Sequence, residues 1–243
     1  MKSYVSALIL GISIIIAVLL LSNAYTYKFR TNQTVSVVGL AEVDFTSDLI
    51  VWEGRFTRKN FSLKDAYASL KNDENEIRNY LRSKGIPDSA MIFSSVDIMK
   101  EQVNSYDRNG NITGTVFNGY NLTQQVKIES MDIEKVEKLS REVTGLIEKG
   151  IELNSAPPMY FYTKLANLKM DLLAAASKDA KARAETIAKS AGSNLGNTRK
   201  ATMGVFQITG KNKNENFSYG GSFNTMDKFK TASITVRIEY QLD

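Results

Sequence analysis

LANLKMDLLAAASKDAKARAETIAKSA, residues 165–191, followed by Gly192 and the phrase SNLG, decides how the rest of the chain is read. Apolar side chains recur at Leu165, Leu168, Leu172, Ala175, Ala176, Ala180, Ala184, Ile187, Ala188 and Ala191. Lys169, Lys178, Lys181, Arg183, Glu185 and Lys189 fall largely on the other side. That spacing predicts a helix with one buried stripe. The stripe is rich in alanine, and small side chains let a helix lie close against a sheet or a second helix. Such a helix is the spine of a packed domain and not a catalytic element. Its lysines are interleaved with Asp179 and Glu185, the mixed pattern of a solvated face and not of an anion groove.

Outward from this helix the signals alternate between strands and helices. Residues 34–43, TVSVVGLAEV, alternate and are β-branched, with Gly39 where a bulge or a close backbone approach belongs. Residues 49–58 predict a second strand. Ser62, with Asp65 three residues on, resembles a capping box that opens a helix burying Leu63, Ala66, Tyr67, Leu70, Ile77, Tyr80 and Leu81. Gly85 and Pro87 close it. NDENE, residues 72–76, lacks the glycine and final glutamate of a calcium loop and is assigned to the wet face of that helix.

Residues 92–103 and 115–129 predict strands joined in a hairpin through Asn109-Gly110. A third helix starts at Asp132 with Ile133, Val136, Leu139, Val143, Leu146 and Ile147 inside, and stops at Gly150. Pro157 and Pro158 introduce a short extended piece before the long helix. Strands over residues 199–209 and 231–242 close the chain, with the polar connector 210–230 between them as a mobile tip or a contact surface. The layout is α+β: amphipathic helices covering one face of a largely antiparallel sheet.

At 243 residues the chain can bury a substantial core. It has no cysteine and no histidine, which removes thiol nucleophiles, disulfides, imidazole bases and zinc sites built on those residues. The formal charge is +5. Lys2, Lys28 and Arg30 flank the apolar N-terminus, so the remainder carries 28 bases against 26 acids, a net +2. Without a basic stripe interleaved with aromatics, nucleic acid is not expected as a partner.

Residues 5–21, VSALILGISIIIAVLLL, would span about 26 Å as a helix, close to the hydrocarbon thickness of a bilayer. Two readings stand. Ser22 and Ala24 place small residues at the minus-three and minus-one positions of a cut before Tyr25. The length of the run, and the interfacial cluster Tyr25, Tyr27, Lys28 and Arg30, favour a retained anchor. The chain therefore divides into a signal peptide or signal anchor with a short linker, 1–30, and an α+β domain, 31–243. The membrane is the expected partner of the first part.

No catalytic, cofactor-binding or metal-ligating residue is assigned. Glu42, Asp44, Asp48 and Glu53 form an acidic group, but Glu42 and Asp44 share a strand face that normally looks into solvent. Trp52 is a core residue of its strand. The alternative function, a small-ligand receptor or enzyme built on carboxylates and tyrosines, has Glu42, Asp48 and Tyr120 as its participants.

One likeness lies beyond physics. VSVVGLAEV followed by Ser47-Asp48, the helix end SKGIPD at 83–88, FNGYNLTQQVKI at 117–128, IEKGI at 147–151 and LLAAASKDAKARAETIAKSAGSNLG at 172–196 together resemble the SIMPL-domain family, over about residues 34–242. Gly39, Glu42, Gly85, Gly119 and Tyr120 support the likeness. Two departures are visible: Ser47-Asp48 stands where the family commonly has Pro-Asp, and the 210–230 loop has no counterpart. The resemblance implies a bacterial envelope protein, periplasmic, held in the inner membrane by residues 5–24 or released by cleavage near Ala24. It implies homo-oligomers, ring-like or channel-like in some members, and a suggested role in envelope stress tolerance. It carries over no catalytic residue and no cofactor. The expected function is therefore non-enzymatic, through self-assembly or partner binding.

Overall fold

The computed structural model describes residues 2–30, 33–213 and 218–242. The side chains of Tyr27, Lys28 and Arg30, and part of the 210–230 connector, lie outside the described residues. In chain order the elements are α1 (Lys2–Arg30), β1 (Thr34–Thr46), β2 (Leu49–Asn60), α2 (Leu63–Ser83), β3 (Met91–Phe93), β4 (Asp97–Tyr106) and β5 (Ile112–Ser130). Then come α3 (Ile133–Glu142), which tightens into a 3-10 helix over Val143–Lys149 and stops at Gly150, β6 (Leu153–Ser155), β7 (Met159–Phe161), α4 (Leu165–Ser190), β8 (Leu195–Met203), β9 (Gln207–Gly210), β10 (Ser222–Phe223) and β11 (Phe229–Leu242).

The fold is α+β with helices on one face of antiparallel sheet, but the sheet is divided in two. The first sheet pairs β1 with β11 in unbroken antiparallel register from Thr34↔Gln241 to Thr46↔Phe229. β8 and β9 add to the other edge of β11, and β10 runs parallel to β9. The second sheet has β2 and β5 at its centre, with β3 and β4 on β5, and β6 and β7 on β2. Two predicted strands are each broken in two. Residues 94–96 separate β3 from β4, and β8 stops at Met203, where Gly204 donates to the Thr235 carbonyl at 2.8 Å.

α4 covers the first sheet. Leu172, Ala176, Ala180, Ala184 and Ala188 are buried, an i, i+4 ridge laid on Val35, Val37, Ala41, Ile234, Val236 and Ile238. Gly39 is the point of closest approach: a Cβ there would stand 2.1 Å from the Ala176 carbonyl oxygen and 2.5 Å from the Ala180 nitrogen. The ridge is narrower than predicted. Ala175, Ile187 and Ala191 are exposed, because a helix seated this low touches the strands along a single row. Asp179 leaves the solvated face and accepts the Leu40 N–H at 2.9 Å, satisfying a donor on the free edge of β1.

α2 and α3 cover the second sheet over a core of Trp52, Phe56, Leu70, Ile77, Leu122, Ile128 and Leu146. Trp52 donates from Nε1 to Ser155 Oγ at 2.9 Å, so its one polar atom is satisfied inside. Ser62 caps α2 as expected, accepting the Asp65 N–H. Ile86 N–H closes back on the Leu81 carbonyl at 3.1 Å across Gly85 (φ +79°), the left-handed helix stop. Leu63, Tyr67 and Ile147, predicted inside, are exposed.

α1 contains one window, Ile9–Thr26, that is long and apolar enough to cross a membrane, and none of it is buried against the domain.

Candidate functional site

The three residues proposed as a carboxylate and tyrosine site do not form one. Glu42 sits exposed on the outer face of β1, lining an open cavity of about 440 Å³ with Leu40, Val205, Gln207, Tyr219 and Thr235. Asp48 lies in the turn between β1 and β2 and accepts the N–H and the Oγ1–H of Thr163, each at 2.7 Å. There it fixes the entry to α4 and closes the connection between the two sheets. Tyr120 packs on the core of the second sheet, its ring 5.1 Å from that of Phe117. The cavity lined by Glu42 includes neither of the others.

The reading of residues 72–76 as a wet face holds for Asn72, Asn75 and Glu76 and is overturned for the two acids between them. Asp73 and Glu74 are buried, because the period of α2 puts positions 70, 73, 74, 77 and 81 on one face. Arg58 on β2 forks onto Asp73, with Nη2 to Oδ1 at 2.8 Å, and the same nitrogen donates to the Gly150 carbonyl at 2.8 Å. One guanidinium thus joins β2, α2 and the turn after α3. For Glu74, burial pushes the carboxyl up, but the bonds from Lys71 and Arg78 outweigh it and hold it below the usual range. Both clusters hold the fold together.

Lys230 was not singled out by the sequence reading, although its signal is present. In β11 the residues of its parity, Ala232, Ile234, Val236, Ile238 and Tyr240, are the buried ones. Lys230 is itself 1% exposed and donates from Nζ to the Tyr160 carbonyl at 2.5 Å, crossing from the first sheet to β7 of the second. Tyr160 N–H donates to the Thr225 carbonyl at 2.7 Å, and the Phe45 and Tyr162 rings meet at 4.9 Å in the same junction. Burial pushes the Lys230 amine down to about 8, against a weaker upward pull from Asp227.

The unfolded chain therefore binds a proton between about pH 8 and 10.5 that the folded chain has released, and folding stability gains over that window. Denaturant midpoints of the detergent-solubilised chain, followed by Trp52 fluorescence, are expected to rise between pH 7 and 9.5. In Lys230→Met the rise is smaller by an amount on the order of 2 kcal/mol. Parallel profiles for the two proteins refute this.

The feature left without an internal role is the arm formed by β4 and β5. β2 pairs with β5 only as far as Asn60↔Tyr120, whereas β4 continues the pairing from Glu101↔Gly119 out to Tyr106↔Ile112. Residues 101–106 and 112–119 are therefore a two-stranded ribbon with no third strand. A ribbon of that kind is marginal in water by itself. It nonetheless carries apolar side chains in solvent: Val103, Tyr106, Ile112 and Val116, with Ile98 and Met99 nearer the base, are all about half exposed or more.

Its tip is a tight turn in which Asp107 Oδ1 accepts the N–H groups of Asn109 and Asn111 and Gly110 takes φ +83°. Those bonds hold the Asp107 carboxyl below its usual range. At the base, the FNGY phrase makes a bulge. Asn118 is the extra residue, and Gly119 adopts φ +107° with a would-be Cβ 3.1 Å from the Asn60 carbonyl oxygen. Phe117 stacks edge-on with both Phe61 and Tyr120, which fixes the direction in which the arm leaves the body. The predicted hairpin is present, and both of its strands run three residues farther toward the tip than their pattern indicated.

Among the described residues, no group of three or more carboxylates is placed to hold a metal ion. No curated protein matches the chain. The family model for SIMPL, described as a protein of unknown function (DUF541), matches residues 35–240. That match takes in both sheets, the helices α2 to α4 and the arm, and leaves α1 outside it. The chain belongs to the SIMPL family.

Proposed function

We propose that this protein is a non-enzymatic module of the bacterial cell envelope, periplasmic and tethered to the inner membrane by α1, that works through self-assembly. Envelope stress tolerance is the setting that the family likeness indicates. The observation that carries this reading is the arm: a ribbon of open backbone edges and half-exposed apolar side chains, projecting past the last residue of β2. An edge of this kind is a template for another strand. A second copy of the chain supplies one, and pairing there extends the second sheet across the contact while covering Val103, Tyr106, Ile112 and Val116.

The test is native mass spectrometry of the full chain released from detergent micelles. The expected result is an oligomer, and Val103→Lys/Val116→Lys shifts it to monomer while leaving Trp52 fluorescence unchanged. A wild-type chain that stays monomeric across a hundredfold range of concentration removes the assembly reading.

A further inference from the structure

The end of the domain at which α1 hands over to β1 has a charge that the rest of the domain lacks. Residues 179–200 carry five bases, Lys181, Arg183, Lys189, Arg199 and Lys200, against Asp179 and Glu185, a net +3. The domain as a whole is +2, so everything else in it sums to about −1. The fold brings this segment to one pole. The second half of α4 lies beside the start of β1, where Arg183 and Ile187 share a cavity wall with Ser36 and Val38. β8 then starts opposite the end of β11, Leu195↔Leu242, while Thr34 pairs with Gln241. Lys181 and Lys189 are exposed on α4 with Ile187, 48% exposed, between them in sequence, and Lys200 is exposed on β8, where it lines a cavity with Arg237 and Glu239. Residues 237–243 at the same end carry Arg237 against Glu239 and Asp243, a net −1, so the pole as a whole sums to +2.

The pole is also the part of the domain closest to the tether. Three residues separate Arg30 from Thr34 and reach at most about 14 Å, comparable with the Debye length of about 8 Å in physiological salt. We infer that the pole formed by the end of α4 and the start of β8 docks on an anionic lipid surface, with Lys189 and Lys200 on the headgroups and Ile187 at the boundary below them. This rests on α1 being retained as an anchor. Bases near such a surface are attracted to its anionic headgroups, and a half-exposed aliphatic side chain among bases is the pattern of an interfacial helix face. Docking holds the long axis of β1 away from the bilayer, so that the opposite end of the domain, about 40 Å off, stays in solvent.

The chain has no cysteine, so a single introduced one is the only labelling site. The full chain carrying Asn194→Cys at the pole, or Met131→Cys after β5 as the distal control, is labelled with a fluorophore. It is then reconstituted in phosphatidylcholine vesicles with or without about 30% phosphatidylglycerol, each containing a headgroup nitroxide quencher. Quenching at position 194 is expected to be about twofold or more greater in the anionic vesicles, and to fall to the neutral-lipid value in 0.5 M salt, where the Debye length is about 4 Å. It is expected to be lost in Lys189→Glu/Lys200→Glu and kept in Lys189→Arg/Lys200→Arg. Equal quenching at 194 in the two lipids, or an equal gain at position 131, overturns the inference. Flotation of the chain with neutral vesicles in 0.5 M salt reads the anchor separately: failure to float removes the tether, whereas the difference between lipids reports only the pole.

Discussion

Gly39→Ala is expected to cost about 3 kcal/mol or more, and Gly39→Leu to leave the first sheet and α4 unable to close on one another. The added carbon of alanine would stand 2.1 Å from the Ala176 carbonyl oxygen and 2.5 Å from the Ala180 nitrogen. Both are backbone atoms of a long helix that cannot turn aside as a side chain can. Relief requires lifting α4 from β1, which exposes the row from Leu172 to Ala188 together with Val35, Val37 and Ala41. Overpacking that a core relieves by shifting rotamers costs about 1–3 kcal/mol, and a rigid neighbour puts this site at the upper end. Urea denaturation followed by far-ultraviolet circular dichroism measures it. Gly145→Ala, where a Cβ meets nothing within 4 Å, is the matched control and is expected to change stability by less than about 0.5 kcal/mol. A mild effect at Gly39 shows that α4 can lift from β1 without exposing that row.

Asp73→Ala is the second large effect, a loss of about 3 kcal/mol. Asp73 is 5% exposed and receives two bonds from Arg58, while Arg58 keeps part of its side chain in solvent. Removing the carboxylate leaves a partly desolvated cation with the Gly150 carbonyl as its remaining hydrogen-bond acceptor and the more distant charge of Glu152, and losing one member of such a pair costs more than losing both. Arg58→Met/Asp73→Leu is therefore expected to recover at least half of the deficit. Chemical denaturation of Asp73→Ala and the double variant, with the singles Arg58→Met and Asp73→Leu to close the double-mutant cycle, checks it. A double variant less stable than Asp73→Ala shows that the pair contributes net stability and is not merely a buried charge kept satisfied.

Both effects concern places where the reading of the chain and its folded form meet differently. Gly39 was legible. A glycine amid alternating valines, and a helix lined with alanine, are complementary signals for close approach, although nothing in the pattern said that each belonged to the other. Asp73 was not legible. Acidic residues beside polar neighbours default to solvent, and the helical period that put positions 73 and 74 inside was outvoted by their charge. What reversed the vote is Arg58, fifteen residues away on another element. Lys230 is the same case in a strand: its parity marked it as buried, its chemistry as exposed, and the Tyr160 carbonyl decided.

The arm was half legible. Asn109-Gly110 announced the hairpin, and FNGY its base, but how far β4 and β5 run past β2 depends on where β2 ends, which is not written in either strand.

Amphipathic period, turn chemistry and apolar length are local properties, and from them the sequence by itself determined the α+β class, the helix stops at Gly85 and Gly150, the hairpin turn and a span able to cross a bilayer. The tertiary structure alone decided that the strands fall into two sheets, that Glu42, Asp48 and Tyr120 stand apart, that an arm outruns its neighbours, and that the second half of α4 comes to lie beside the start of β1. Each of these is a relation between residues far apart in the chain, set by which surfaces bury one another, and no window of sequence contains both sides of such a contact.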